Sequence, residues 1–492
     1  MRGRVVGSAV GARSRRWVLS CAVVVAMSGG LVATGPAAVA RGGPAGPEGV
    51  WQTVGYGTVL AIEHGRMQEY QTTAISCLKG LSATGGPLRY GAEDGQAFTL
   101  LPGRGGSGFR DRAGLHVDGA VGDRTLRRLP ALPARCAGEA AVPGGPAQAG
   151  DPQGVYDVFW QTFAENYPFF AAKGVDWQAV RERTRPLVRA DSSPAELFAV
   201  LRGMVEPLHD AHVVLEAPSV GFFAEGRPGT VPPSPAVDDR AKSFVVGRDL
   251  AGLVVHEYAA GRISYADLPG GQGYLRISGF GGYAGPGGDD SYQTNSRLLE
   301  QALSEVLTAE RVSTLGGLIL DLRINGGGYD ALGLQVAARL TDRPYVAYAK
   351  RARDRPEEPS HFTTPQPIPV RPADAPRYTG PLAVLIGGST VSAGESFTQA
   401  LLARPTGATL IGQPTQGVFS DTLDRALPNG WSFSLPNEEL LTRTGTSYDG
   451  PGIPPDISTP VFTEEEYAQG KDSAFDRAVA LPARQWPARW GR

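Results

Sequence analysis

The stretch from Pro381 to Ala400 reads PLAVLIGGSTVSAGESFTQA, and its interpretation decides the fold. Leu382 to Ile386 is a short leucine and β-branched run closed by Gly387-Gly388, the pattern of a strand buried on both faces of a parallel sheet. A helix is expected from about Ala393, which leaves Ser392 at the bend. A serine there has two uses. As an N-cap its hydroxyl accepts a main-chain N–H. As a nucleophile it stands above the sheet edge, where the free N–H groups of the first helical turn face a developing oxyanion. Ser392 alone does not choose between them.

A second corner of the same kind lies upstream. Leu318 to Ile324 reads as a buried strand that runs into Asn325-Gly326-Gly327-Gly328, with a helix from about Ala331. Strand, glycine turn, helix, strand and then the Ser392 corner is βαβ organisation with right-handed crossovers. The triple glycine lacks the lysine and Ser/Thr of a phosphate loop. It reads instead as backbone that approaches a substrate closely and donates N–H groups. Two such corners at the same end of neighbouring parallel strands would face one crevice, where open α/β sheets bind ligands.

The chain has 492 residues and a net charge of −2, enough length for several domains and nothing in the charge that points to nucleic acid. Residues 1–40 read as a signal peptide: Arg13, Arg15 and Arg16 precede an apolar run that ends in Ala38-Val39-Ala40. Ser14 to Leu19 also resembles a twin-arginine signal, so export is expected by that route or the general secretory one. No later run is long and apolar enough to span a membrane. Past the signal only Cys77 and Cys136 remain, flanking one module. In an oxidising compartment they are expected to pair, and two thiols without clustered histidines make a poor zinc site. No metal or cofactor is expected.

Short strands and glycine turns predict a small β-rich domain over 41–136, and the G-x-G-x-x-G match at 103–108 lacks βαβ context and is taken as a loop. A Pro/Gly/Ala linker follows over 137–152. Helical spacing at 155–166 and 177–188, and Ser193-Pro194 opening a third helix, define a helical subdomain over 153–215. It ends in Leu208-His209-Asp210-Ala211-His212, which holds two of the six histidines. The segment 216–270 is expected to be loop-rich, 216–465 to form the core, and 466–492 a closing helix, begun near Thr463, with its tail.

Four motifs in this order resemble the tail-specific (C-terminal processing) serine peptidase family: Asp321-Leu322-Arg323-x-Asn325-x-Gly327-Gly328, Thr390-Val391-Ser392-Ala393-Gly394-Glu395, Gly412-Gln413-Pro414-Thr415-Gln416-Gly417 and Gly452-Ile453-Pro454-Pro455-Asp456. The resemblance covers about residues 155–460. It implies an α/β, crotonase-like catalytic core, with Ser392 as nucleophile and an oxyanion hole from Ala393 and the Gly327-Gly328 turn. The lysine base of the family's dyad members would follow the third motif, where this chain has Val418. The sequence is closer to the tricorn-core and retinoid-binding-protein-like branch, which implies His212 as base and Asp449 as the third member, although that branch usually carries glutamate there. Glu395 reads as a first-turn dipole partner, Asp321 and Arg323 as braces of the glycine turn, and Asp456 as a loop anchor or an alternative carboxylate. His209 is the weaker base candidate. The function implied is a secreted serine peptidase acting on peptides or proteins. A non-proteolytic binding protein for apolar ligands and an esterase-like hydrolase stand as alternatives, and oligomeric state is open.

Overall fold

The computed structural model describes residues 46–103, 108–137 and 150–481. The expected signal peptide, most of the linker, the tip of the G-x-G-x-x-G loop and the end of the tail lie outside the described residues.

Eight strands, β1 (Gly49–Thr53), β2 (Thr58–Glu63), β3 (Arg66–Thr72), β4 (Cys77–Gly85), β5 (Arg89–Ala92), β6 (Ala97–Gly103), β7 (Gly108–Val117) and β8 (Arg124–Leu129), close into a barrel in sequence order. β1 returns antiparallel to β8, with Val50 opposite Leu129 and Thr53 opposite Leu126. Alternation turns Trp51, Leu60, Ile62, Phe98, Leu115 and Leu126 inward, and side chains fill so small a barrel. Cys77 at the start of β4 is disulfide-bonded to Cys136 beyond β8.

The helices α1 (Pro152–Asn166), α2 (Trp177–Thr184) and α3 (Pro194–Val205) each begin at a side-chain cap. Asp151 accepts from Gly154, Asp176 from Ala179, and Ser193 forms a capping box with Glu196. Their apolar faces, through Phe159, Phe163, Trp177 and Leu201, share one core with Leu215, Leu423, Phe433 and Leu435. Those partners sit on a four-stranded sheet in the order β10 (Gly221–Ala224), β9 (Val214–Ala217), β22 (Ser432–Pro436), β21 (Thr422–Ala426).

The central sheet has seven strands in the order β11 (His256–Tyr258), β12 (Ile263–Asp267), β13 (Gln272–Ile277), β14 (Gly317–Asp321), β18 (Leu382–Ile386), β20 (Thr409–Gly412) and β24 (Ile457–Ser458). It is mixed. β13 to β24 run parallel, and β11 and β12 add antiparallel strands at one edge. Every residue of β13, β14 and β18 is buried. The cause is cover on both faces: α5 (Tyr292–Val306), α7 (Asp330–Ala338) and α8 (Ala393–Leu402) on one, α4 (Pro235–Arg248) and α10 (Ser473–Val479) on the other. A third sheet, β17 (Gln366–Val370), β16 (Tyr345–Ala352), β23 (Glu438–Leu441), lies beyond α7 and α8.

β14 and β18 are parallel neighbours, Leu320 opposite Val384, so their glycine corners leave the sheet on the same side. Beyond the sheet edge two short strands, β15 (Ile324–Asn325) and β19 (Ser389–Thr390), pair again in parallel and bind the corners together.

Two expectations are corrected. The segment 216–270 is not mainly loop: it holds β9, β10, α4, β11 and β12. Pro232-Pro233-Ser234-Pro235 reads as a breaker, but Ser234 accepts from Val237 as an N-cap and Pro235 opens α4. The single closing helix is two, α9 (Glu464–Gln469) and α10, parted at Gly470 in the left-handed region (φ 61) and restarted by the Asp472 cap.

Candidate active site

Ser392 occupies the N-cap position of α8, but not with N-cap backbone. Its φ and ψ are 56 and −120, where Ser193 at the start of α3 has −68 and 158. A non-glycine residue held at positive φ stores strain, and such strain gathers at functional corners. Neighbours hold it there. Ser392 N–H donates to the Val418 carbonyl at 3.1 Å and to Glu395 Oε2 at 3.2 Å. The sharp turn leaves the serine partly exposed while Val391 and Ala393 beside it are buried.

The glycine turn packs directly on this corner. A Cβ on Gly327 (φ 80) would stand 2.7 Å from Ser392 Cβ and 3.1 Å from the Ala393 nitrogen, so only glycine fits. Asn325, wholly buried, fixes the turn: Nδ2 donates to the Ile277 carbonyl at 2.9 Å, and Oδ1 accepts the Gly327 N–H at 3.0 Å. That bond bears on which glycine N–H could face an oxyanion. The Gly327 N–H is spent inside the turn, so Gly328 is the donor the turn can offer. Ala393, as the first residue of α8, carries an N–H with no partner inside its helix.

Glu395 does more than face a dipole. Fully buried, it accepts Gly417 N–H at 2.6 Å and Val418 N–H at 2.9 Å besides that of Ser392, and so clamps the serine corner to the third motif. Burial pushes its carboxyl up to about 8, against the pull of Thr415, Gly417 and Val418. The S-x-x-E spacing of Ser392 and Glu395 is the signal that points to this clamp. The third motif in turn holds the fourth: Gly450 N–H donates to the Gly417 carbonyl at 2.8 Å and Ile453 N–H to Thr415 Oγ1 at 2.8 Å.

His212 precedes β9, where its carbonyl accepts Ser434 Oγ at 2.9 Å and its N–H donates to Asp210 Oδ1 at 3.0 Å. Tyr167 donates to the other Asp210 oxygen at 2.9 Å. Burial lowers the imidazole below its ordinary value, while Asp210 and Asp421 oppose that shift. Burial therefore favours the neutral ring. Its Nδ1 is buried with no hydrogen-bond partner. Asp449 does not supply one here: Oδ1 accepts Phe419 N–H at 3.1 Å and Oδ2 accepts Ser447 Oγ at 2.6 Å. Burial raises its carboxyl to about 7 against those two donors, with Asp210 adding to the rise.

The remaining candidates are occupied by other contacts or lack the chemistry. His209, left-handed at φ 45, sits 3.5 Å from Glu225 with 43% of its side chain exposed. Asp456 accepts Leu410 N–H at 2.9 Å and anchors the β20 edge. Arg323 lies buried between Asp321 and Asp472, each 2.7 Å away, and so braces β14 against the start of α10. Val418 is buried and can take no proton. The segment 227–233, which reads as loose loop, is pinned across the crevice: Thr230 Oγ1 donates to Gln416 Oε1 at 2.9 Å, and Val231 stays 56% exposed. Among the described residues no cluster of three His, Cys, Asp or Glu could hold a metal ion, and no helix is long and apolar enough to cross a membrane.

A serine on a strained strand-to-helix corner with glycine backbone against it is an arrangement that suits a serine nucleophile. Residues 271–459 match the family model for peptidase family S41, and residues 149–206 that for the tricorn protease C1 domain. Residues 271–459 therefore carry an S41 peptidase domain, and the protein is a serine-type peptidase, a class that acts on peptides or proteins. A putative peptidase from Parabacteroides merdae shares the fold at a TM-score of 0.55 and 24% identity, over 67% of this chain and 96% of that one. Mature CPAF with lactacystin aligns at 0.47 and 14% identity (68% and 97% of the two chains), and the photosystem II D1 C-terminal processing protease at 0.40 and 17% (68% and 98%). No curated protein sequence matches the chain.

Proposed function

We propose that the protein is an exported peptidase that cleaves peptide bonds through an acyl-enzyme on Ser392, with His212 as base and Asp449 as the carboxylate that orients it, on a crotonase-like core. The observation that carries this is the Ser392 corner, a positive-φ serine pressed on Gly327. His212 removes the hydroxyl proton as Ser392 Oγ bonds to the scissile carbonyl carbon. The Ala393 and Gly328 N–H groups receive the charge that moves onto the carbonyl oxygen, a contribution of about 3–4 kcal/mol for each donor. The C–N bond then breaks as His212 returns the proton to the amine. Water, deprotonated by the same imidazole, releases the acid and restores the serine. The ionised carboxylate of Asp449 pairs with Nδ1, now vacant, when substrate closes the site, and holds the imidazolium. Export rests on the basic and apolar pattern of residues 1–40 and fits the disulfide.

The test is digestion of a denatured protein mixture, with new termini read by mass spectrometry. New termini from the wild type, and none from Ser392→Ala or His212→Ala, are expected. Equal cleavage by Ser392→Ala would contradict the proposal.

A further inference from the structure

We propose that the barrel is a working part of the catalytic centre: Tyr56, on the turn between β1 and β2, is a positioning residue that acts on the nucleophile helix through the buried chain Glu438, Lys350, Asp421, Asp330 and Ser396. The inference rests on the peptidase reading above.

The turn that carries Tyr56 is driven into the core. Gly55, Tyr56 and Gly57 are all left-handed, with φ of 78, 64 and 53, an arrangement that persists only where the surroundings impose it. A Cβ on Gly55 would stand 2.5 Å from the Arg353 carbonyl. Buried Arg425 donates to the Tyr56 carbonyl, and Arg124 lies 4.6 Å from the ring centroid. From there the contacts are continuous. Tyr56 OH donates to Glu438 Oε1 at 2.7 Å; Lys350 Nζ lies 3.2 Å from the same oxygen and 3.1 Å from Asp421 Oδ2. Asp421 adjoins Asp330, and the two carboxyls interact directly; Asp330 accepts Ser396 Oγ.

The two ends of this chain matter. Asp330 opens α7 directly after the glycine turn, and Ser396 is one helical turn beyond Ser392. Their bond therefore fixes the nucleophile corner against the turn that supplies Gly328. Two adjacent buried carboxyls cannot both ionise, so they share one proton. Lys350 decides which keeps it. Burial alone would raise both, but the ammonium draws Asp421 down to about 2, while Asp330 stays well above its ordinary value and holds the proton. Burial opposes the charge on Lys350 as well, yet Asp421 and Glu438 outweigh it and keep the ammonium charged. The negative charge so placed on Asp421 also acts on His212. Lys350 is thus no base for the serine; it sets the charge pattern behind it.

The experiment uses the full chain and a fluorophosphonate–rhodamine probe, with the maximal labelling rate and the half-saturating probe concentration measured separately. Tyr56→Phe removes one hydroxyl and keeps the ring. The expected result is a maximal rate about tenfold lower, with half-saturation and final stoichiometry unchanged. Lys350→Met should lower the rate further and Lys350→Arg restore part of it. A wild-type rate in Tyr56→Phe overturns the inference, as does a reduced labelled fraction that reacts at the wild-type rate, because that is a folding effect. Wild-type protein that takes no label overturns the peptidase reading itself, and is seen before any variant is compared.

Discussion

At the scale of single residues, the account turns on backbone that only glycine can provide and on carboxyls whose ionisation is set by burial. Gly327→Ala places a methyl 2.7 Å from Ser392 Cβ at a φ of 80. It should cost about 1–3 kcal/mol of stability, and activity should fall by roughly a hundredfold or more because the oxyanion site is displaced. Urea unfolding and labelling rates check the two parts separately. Asp449 makes a pH prediction with two signs. Its folded value, about 7, lies above the ordinary 3.8, so the stability it adds is complete below the lower value and is lost as pH rises through the upper one. Activity should run the other way and rise through pH about 7, since the ionised form holds the imidazolium. In Asp449→Asn the activity rise near pH 7 should vanish and the stability slope, at most ~1.4 kcal/mol per pH unit for one group, should flatten. An activity limb that survives in Asp449→Asn would remove Asp449 from the mechanism. Ser392 was legible in the sequence because strand, glycines and helix lie within one short stretch. The Gly327 N–H was not, although Asn two residues before a glycine is the spacing of an Asx turn, in which the side-chain oxygen accepts that N–H.

At the scale of elements, the site is held from behind by charge buried among strands and helices. Arg323 lies at the end of β14 between Asp321 and Asp472, with Tyr274 donating to Asp321 at 2.6 Å and the Phe462 ring centroid 4.0 Å from the guanidinium. Removing one partner of such a group leaves buried charge unpaired. Arg323→Ala should therefore cost roughly 3–5 kcal/mol, read as a shift of the urea midpoint; a change under 1 kcal/mol would mean that water reaches the cluster. Sequence pattern found β14, β18, α7 and α8 because each strand is a continuous apolar run and each helix follows directly on a glycine or small-residue corner. It did not find α4, whose opening prolines read as a breaker, nor the pairing of Arg323 with Asp472, since nothing local relates residues so far apart in the chain.

At the scale of the whole molecule, the proposed centre would draw one piece each from barrel, helices and central sheet: Tyr56 from the first, His212 from the end of the second, Ser392 from the third. The disulfide between Cys77 and Cys136 closes a span of 59 residues. Its removal by Cys77→Ala with Cys136→Ala should lower stability by roughly 2–4 kcal/mol, measured by thermal unfolding, and should depress activity if the barrel then loosens its hold on Tyr56. Short strands and glycine turns pointed to a small β-rich domain, but not to its closure into a barrel or to its reach into the core. That contact is made by one turn whose Tyr56 and Gly57 read as the start of the strand that follows. The central claim is tested most directly by treating the folded protein with a fluorophosphonate and locating the adduct by peptide mass spectrometry. The account predicts one adduct, on Ser392, absent in Ser392→Ala and strongly slowed in His212→Ala. A folded wild-type protein that stays unmodified, or an adduct on another serine, would contradict it.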